Sequence, residues 1–153
     1  MTNNRFKAIA AVHIFLLKAD QILLLRRYNT GYEDGNYSVL AGHIDGGEDV
    51  ITAAQREVLE EAGITISTQD LSIVGVMHRK AEDERIDFFL TAENWTGEIV
   101  NMEPNKCDEL AWYPLNELPD NLIPYVRKAI ENYIAGQPFD LYGWANRQKE
   151  VDC

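Results

Sequence analysis

Glu57, Glu60 and Glu61 crowd the end of the stretch GHIDGGEDVITAAQREVLEEAGI, which runs from Gly42 to Ile64 and carries six carboxylates against one arginine. On a wheel of about 100° per residue with Ile51 at zero, Ala54, Gln55, Val58 and Ala62 lie within about 60° and form a packing face, with Leu59 just beyond. The three glutamates share the other side at roughly 240°, 180° and 280°, with Val50 and Ala53 beside them one turn nearer the loop, the alanine leaving space above the acids. Like charges three and four residues apart destabilise a helix by roughly 0.2–0.5 kcal/mol per pair. The helix has no lysine to relieve them, and Arg56, its only base, falls at roughly 140°. Glu60 and Glu61 also sit in the last turn, where the helix dipole disfavours anions. A solvated acidic face is one reading; the unrelieved repulsion favours the other, a cation from outside. Carboxylates unaccompanied by histidine or cysteine are hard donors suited to Mg2+ or Mn2+ and unsuited to a dedicated zinc site. Such ions take further oxygens from substrate phosphates and neutralise a pyrophosphate.

These acids need a loop and a helix to hold them. Glycines 42, 46 and 47 allow tight turns before a helix that starts near Asp49 or Val50 and ends before Gly63, a residue suited to a left-handed cap. Upstream, Phe6 to Leu17 and Ile22 to Arg27 read as a hairpin around Lys18–Gln21, Asn29 to Asn36 as a polar loop, and Tyr37 to Leu40 as a short strand. Downstream, Leu71 to Met77 and Arg85 to Ala92 read as strands, the first starting as early as Ile64, Glu98 to Asp108 as a loop and Leu110 to Pro114 as a strand. Leu122 to Ile134 forms an amphipathic helix, and the tail after Pro138 carries no clear period. Strands on both sides of the first helix, followed by a second helix, predict an α/β fold with a mixed sheet and helices on both faces.

The chain has 153 residues, enough for one domain, 1–153, with its own core. A formal charge of −11 argues against stable binding to nucleic acid, whose backbone demands clustered bases. A metal can invert the local field and so reconcile that charge with a small anionic substrate. The apolar run from Ala8 to Leu17 is interrupted by His13 and is too short to span a bilayer, so it reads as a buried strand and no membrane partner is expected. Cys107 and Cys153 are too few for a disulfide scaffold, which fits a reducing, cytoplasmic setting.

Gly42, five residues, Glu48, seven residues, Arg56-Glu57-Val58, one residue, Glu60-Glu61, one residue, Gly63-Ile64 reproduces the complete signature of the Nudix hydrolases, nine restricted positions over 23 residues. The rest of the chain resembles the small MutT-like members, which implies a Nudix-type α/β/α sandwich with a loop-helix-loop catalytic motif. The resemblance implies Mg2+-dependent hydrolysis, with Mn2+ an alternative, of a nucleoside diphosphate linked to some group X. Glu57, Glu60 and Glu61 match the family's metal ligands, joined by the backbone carbonyl of Ala41; Arg56 matches the arginine that supports a catalytic glutamate, and Glu48 the one that assists across the loop. A nucleoside or deoxynucleoside triphosphate, cleaved to a monophosphate and pyrophosphate, is the first expectation for the substrate. A nucleotide sugar or ADP-ribose is the alternative, and a noncatalytic nucleotide sensor the third reading. Homodimerisation is compatible with the fold.

Substrate contacts are sought outside these acids. Arg26 and Arg27 end a strand and point to opposite faces; similarity to relatives favours Arg26 for the phosphates. His43 is placed to meet a phosphate or hold the loop. Tyr28, Tyr32 and Tyr37 surround the polar loop as candidates to stack on a base, Tyr37 among those retained. Asp120 precedes the second helix, where relatives read a base edge. The base that activates water is either a glutamate of the signature, Glu61 in particular, or a loop acid, Glu98 or Glu103. His13 reads as buried, His78 as the start of a polar turn, Trp95, Trp112 and Trp144 as separate aromatics, and Cys107 as an inert thiol.

Overall fold

A computed structural model describes residues 4–145. In chain order its strands are β1 (Ile9–Lys18), β2 (Gln21–Arg27), β3 (Tyr37–Ser38), β4 (Leu40–His43), β5 (Ser72–Lys80), β6 (Glu84–Ala92), β7 (Cys107–Pro114) and β8 (Phe139–Tyr142). The helices are α1 (Val50–Ala62) and α2 (Pro124–Ala135). β1 and β2 form the expected hairpin but pair only at its closed end, Leu17 with Ile22 and Lys18 with Gln21. The rest of β1 is already engaged, antiparallel to β4 on one edge and parallel to β6 on the other. β2 is flanked by β3 and β7, β5 pairs with β6, and β8 adds parallel to β5.

The period of two along β1 divides the core. Val12, Ile14 and Leu16 face α1 and pack with Ala53, Ala54, Val58 and Ala62. Phe15 and Leu17 face α2 and pack with Val126, Ala129 and Ile130. One helix thus covers each face of a mixed sheet, the α/β/α sandwich that the element order predicts. Among the described residues no helix is long and apolar enough to cross a membrane.

Four local expectations change. The tail after Pro138 contributes β8, which the lack of periodicity hid. α2 starts two residues late, because Leu122 and Ile123 are core residues outside the helix and Pro124 takes its first position. His78 lies inside β5, its ring centroid 4.7 Å from that of Trp144, so the polar turn falls later, at residues 81–83. Trp95 and Trp112 stack at 6.1 Å and so are not separate. Cys107 is buried and its thiol donates to the Glu109 carbonyl; Cys153 lies outside the described residues.

Candidate active site

Both ends of α1 are capped by residues readable in the sequence. The Asp49 carboxylate accepts from the Thr52 amide at 2.8 Å, and Gly63 closes the helix at φ 71°. The last turn receives a second set of donors from far along the chain: Val100 N–H reaches the Ala62 carbonyl at 3.0 Å and Met102 N–H the Glu61 carbonyl at 3.2 Å. These bonds satisfy carbonyls that a helix end leaves open. They also bring the loop before β7 against the acids.

Arg56 is the centre of the charge network. It grips Glu48 with two hydrogen bonds, Nε to Oε2 at 2.7 Å and Nη2 to Oε1 at 2.9 Å, and reaches Glu57 at 2.7 Å, Glu60 at 3.3 Å and the His43 carbonyl at 3.0 Å. The repulsion expected to be unrelieved is therefore relieved in part: the guanidinium reaches Glu60, its i,i+4 neighbour, and its length carries it also to Glu57, about 100° away on the wheel. Arg56 holds the Glu48 carboxyl down to about 2, chiefly through these hydrogen bonds. Ala53 is fully buried in the core.

One arginine cannot balance four glutamates. The Glu57 side chain is 12% exposed, and burial raises its pKa despite the Arg56 contact. Glu61 has no hydrogen bond from Arg56; burial and then the charge of Glu57 push its pKa well above the carboxylate range, against the pull of a 2.9 Å bond from the Ala41 amide. The N–H and C=O of one residue in an antiparallel strand leave by the same edge. Since the Ala41 N–H points at Glu61 and the His43 carbonyl meets Arg56, the Ala41 carbonyl also faces the acids. Gly42, between them, has no room for a Cβ, which would fall on the Glu57 carboxylate.

Among the described residues no three acid, histidine or cysteine side chains already converge as a metal shell. The donors nonetheless fit a hard divalent cation in kind: an under-neutralised group of carboxylates, with a strand carbonyl on the same edge and a glycine where any side chain would obstruct.

The acids form one wall of an open cleft of about 500 Å³. Glu57, Glu60, Glu61 and Ala41 line it on one side, and Arg27, Asn29, Thr30, Asn101, Glu103 and Lys106 continue its lining. The candidates sought outside the signature fare differently. Arg27, and not Arg26, enters the cleft, because Arg27 shares a strand face with Leu23 and Leu25, while Arg26 turns to the opposite face and binds Asp108 at 2.8 and 3.1 Å. Tyr37 is buried, its hydroxyl 2.9 Å from Glu109 and 3.1 Å from Tyr113, so it has no face for a base. Asp120 is exposed before α2 and is absent from the cleft lining, as is His43, whose ring contacts Arg85 at 3.4 Å. Of the two loop acids Glu103 lines the cleft and Glu98 does not. Sequence reasoning misses Lys106 and Asn101, since an irregular loop offers no period from which to read a facing side; the alternation of β2 does contain the signal for Arg27.

The NUDIX domain family matches residues 7–133. The chain is 33% identical over 126 residues to the NAD-capped RNA hydrolase NudC of Citrobacter koseri, covering 80% of this chain and 46% of that protein. It is 32% identical over 134 residues to NudC of Escherichia coli O1:K1, covering 85% of this chain and 49% of that protein. The chain thus spans about half the length of the curated relatives it matches. Among solved structures, a MutT NUDIX hydrolase from Burkholderia pseudomallei superposes with a TM-score of 0.75 at 25% identity, covering 82% of this chain and 98% of that one. An ADP compounds hydrolase superposes with a TM-score of 0.67 at 26% identity, covering 87% and 76%. With the full signature set on its loop-helix-loop and the family match running across most of the chain, this protein belongs to the Nudix family.

Proposed function

We propose that the protein hydrolyses the pyrophosphate bond of a small ADP-linked compound of the NAD or ADP-ribose type, using Mg2+ or Mn2+. The observation that carries the reading is the under-neutralised acidic face of α1 opening on a cleft whose lining bases, among the described residues, are Arg27 and Lys106. The substrate class rests on the relatives: two are named for NAD-capped RNA and one for ADP compounds. This displaces the triphosphate expectation in favour of its alternative. The free small compound is preferred to capped RNA because a charge of −11 and two cleft bases offer little to an RNA backbone.

In this reading Glu57, Glu60, Glu61 and the Ala41 carbonyl hold the cation, which supplies neutralisation of phosphate charge and Lewis-acid polarisation at phosphorus. Arg56, anchored on Glu48, keeps Glu57 oriented. Arg27 and Lys106 meet phosphate oxygens across the cleft. Water oxygen bonds to one phosphorus as the bridging P–O bond breaks, and two monophosphates leave. The test is a Mg2+-dependent hydrolysis screen of NAD, ADP-ribose, nucleotide sugars, dNTPs and an NAD-capped oligoribonucleotide, with Glu57→Gln alongside. The highest kcat/KM is expected for NAD or ADP-ribose. Equal rates in wild type and Glu57→Gln would remove the catalytic assignment, and a preference for dNTPs would restore the triphosphate reading.

A further inference from the structure

Glu103 and Lys106, the acid and the base that the irregular loop brings to the cleft, are the first and last residues of a single turn. The Lys106 amide donates to the Glu103 carbonyl at 2.9 Å, with Pro104 at the second position, where its fixed φ suits a β-turn. The Cys107 amide reaches the same carbonyl at 3.0 Å. Asn101 closes the base of this turn from both sides: its side-chain oxygen accepts from the Glu103 amide at 3.0 Å, and its side-chain NH2 donates to the Cys107 carbonyl at 2.7 Å. The first bond is the side-chain turn that asparagine makes with the amide two residues on. The second ties that turn to the start of β7. The Tyr28 amide donates to the Lys106 carbonyl at 2.9 Å, so the loop after β2, which supplies Asn29 and Thr30 to the cleft, hangs on the same support.

On the functional reading above, we propose that Asn101 is a positioning residue for hydrolysis, holding Glu103 and Lys106 at the working distance from the α1 carboxylates. No other side chain bonds both ends of residues 101–107 among the described residues. Without Asn101, the Met102 and Val100 amides still tie the loop to α1, and the turn around Pro104 still forms, so the fold stays intact while Glu103 and Lys106 lose their fixed position. Misplacement by an ångström lowers rates by up to about a hundredfold.

The experiment compares the full chain with Asn101→Ala, Asn101→Ser, Glu103→Gln and the double variant Asn101→Ala/Glu103→Gln. Two quantities are measured: amide hydrogen exchange by NMR on metal-free protein, and kcat and KM on the best substrate of the screen. Asn101→Ala is expected to speed exchange at the Glu103 amide by on the order of tenfold while β1 amides keep their protection, and to lower kcat by on the order of tenfold with a smaller change in KM. Asn101→Ser, whose hydroxyl accepts from the same amide, should recover part of both. The double variant should lose less than the product of the two single losses, since Asn101→Ala then acts only through Lys106. Unchanged exchange at Glu103, unchanged kcat in Asn101→Ala or in Glu103→Gln, or losses that multiply in the double variant would each overturn the assignment. A wild-type protein without metal-dependent hydrolysis would instead remove the functional reading, leaving the exchange rates to decide whether Asn101 holds the turn.

Discussion

Two clusters of charge in this molecule are built from the same parts and behave in opposite ways. On the α2 side of the sheet, Asp87 is fully buried between His13 at 3.0 Å and Arg79 at 2.7 and 3.2 Å, and the guanidinium lies 3.7 Å over the Tyr125 ring. On the α1 side, Arg56 faces Glu48, Glu57 and Glu60, while Glu61 bonds the Ala41 amide instead. Burial opposes ionisation in both places. At Asp87 the hydrogen bonds from His13 and Arg79 prevail, holding its pKa to about 2. At Glu61 nothing comparable answers the burial, and the pKa rises. A carboxylate whose partners satisfy it is architecture; one left under-neutralised beside a cleft is a candidate for function.

Removing Asp87 is the severest way to break the comparison. Asp87→Ala leaves a buried guanidinium without its counter-charge and should cost about 3–5 kcal/mol, read as a large fall in the urea midpoint. A loss below about 1 kcal/mol would mean that the buried cluster contributes little. Glu61→Gln tests the opposite behaviour: kcat should fall on the order of a hundredfold or more, while the metal-free protein at pH 7 stays as stable as wild type or gains up to about 1 kcal/mol. The sign follows from the raised pKa. Stability associated with protonated Glu61 is present below the ordinary carboxylate range and lost as pH rises through its folded value, so a permanently neutral glutamine avoids that loss. For Asp87 the sign is reversed, with stability present above its ordinary 3.8 and lost as pH falls toward about 2. Urea melts of metal-free wild type and Glu61→Gln between pH 3 and 8 separate the two trends; identical profiles would abolish the contrast.

Smaller effects sharpen it. Gly42→Ala places a methyl where the Glu57 carboxylate lies, and the flexible end of the glutamate must yield. About a tenfold lower kcat and weaker Mn2+ binding by calorimetry are expected, with little change in melting temperature. Arg27→Ala should raise KM by roughly fivefold to tenfold, the loss of one charge-assisted contact, while Arg26→Ala stays within about twofold of wild type. Equal effects from the two arginines would show that the face of β2 does not decide which of them meets substrate.

The acidic helix, its caps and its chemistry are legible in the sequence because they depend on neighbours in the chain. Asp49 and Gly63 bound a period of 3.6, and Glu57, Glu60 and Glu61 fall together on it whatever the rest of the molecule does. The hairpin, the mixed sheet and the covering of both faces follow from the order of elements and the continuous apolar run of β1, which marks a strand buried on both faces. What depends on distant partners is not legible. The wheel brings Arg56 only to Glu60, because its reach to Glu57 depends on its side-chain path and on an anchor at Glu48 in the preceding loop. Tyr37 resembles a surface aromatic until β7 brings Glu109 and Tyr113 to its hydroxyl. β8 lacks a pattern of its own and exists as a strand paired with β5.

The sequence by itself determined the donor set of the proposed site, hard oxygen donors at helical spacing of the kind suited to Mg2+ or Mn2+. Only the tertiary structure decided which residues stand opposite those donors. Arg27, Asn101, Glu103 and Lys106 come from a strand end and a loop that meet α1 through hydrogen bonds between residues tens of positions apart, and no local period encodes that meeting.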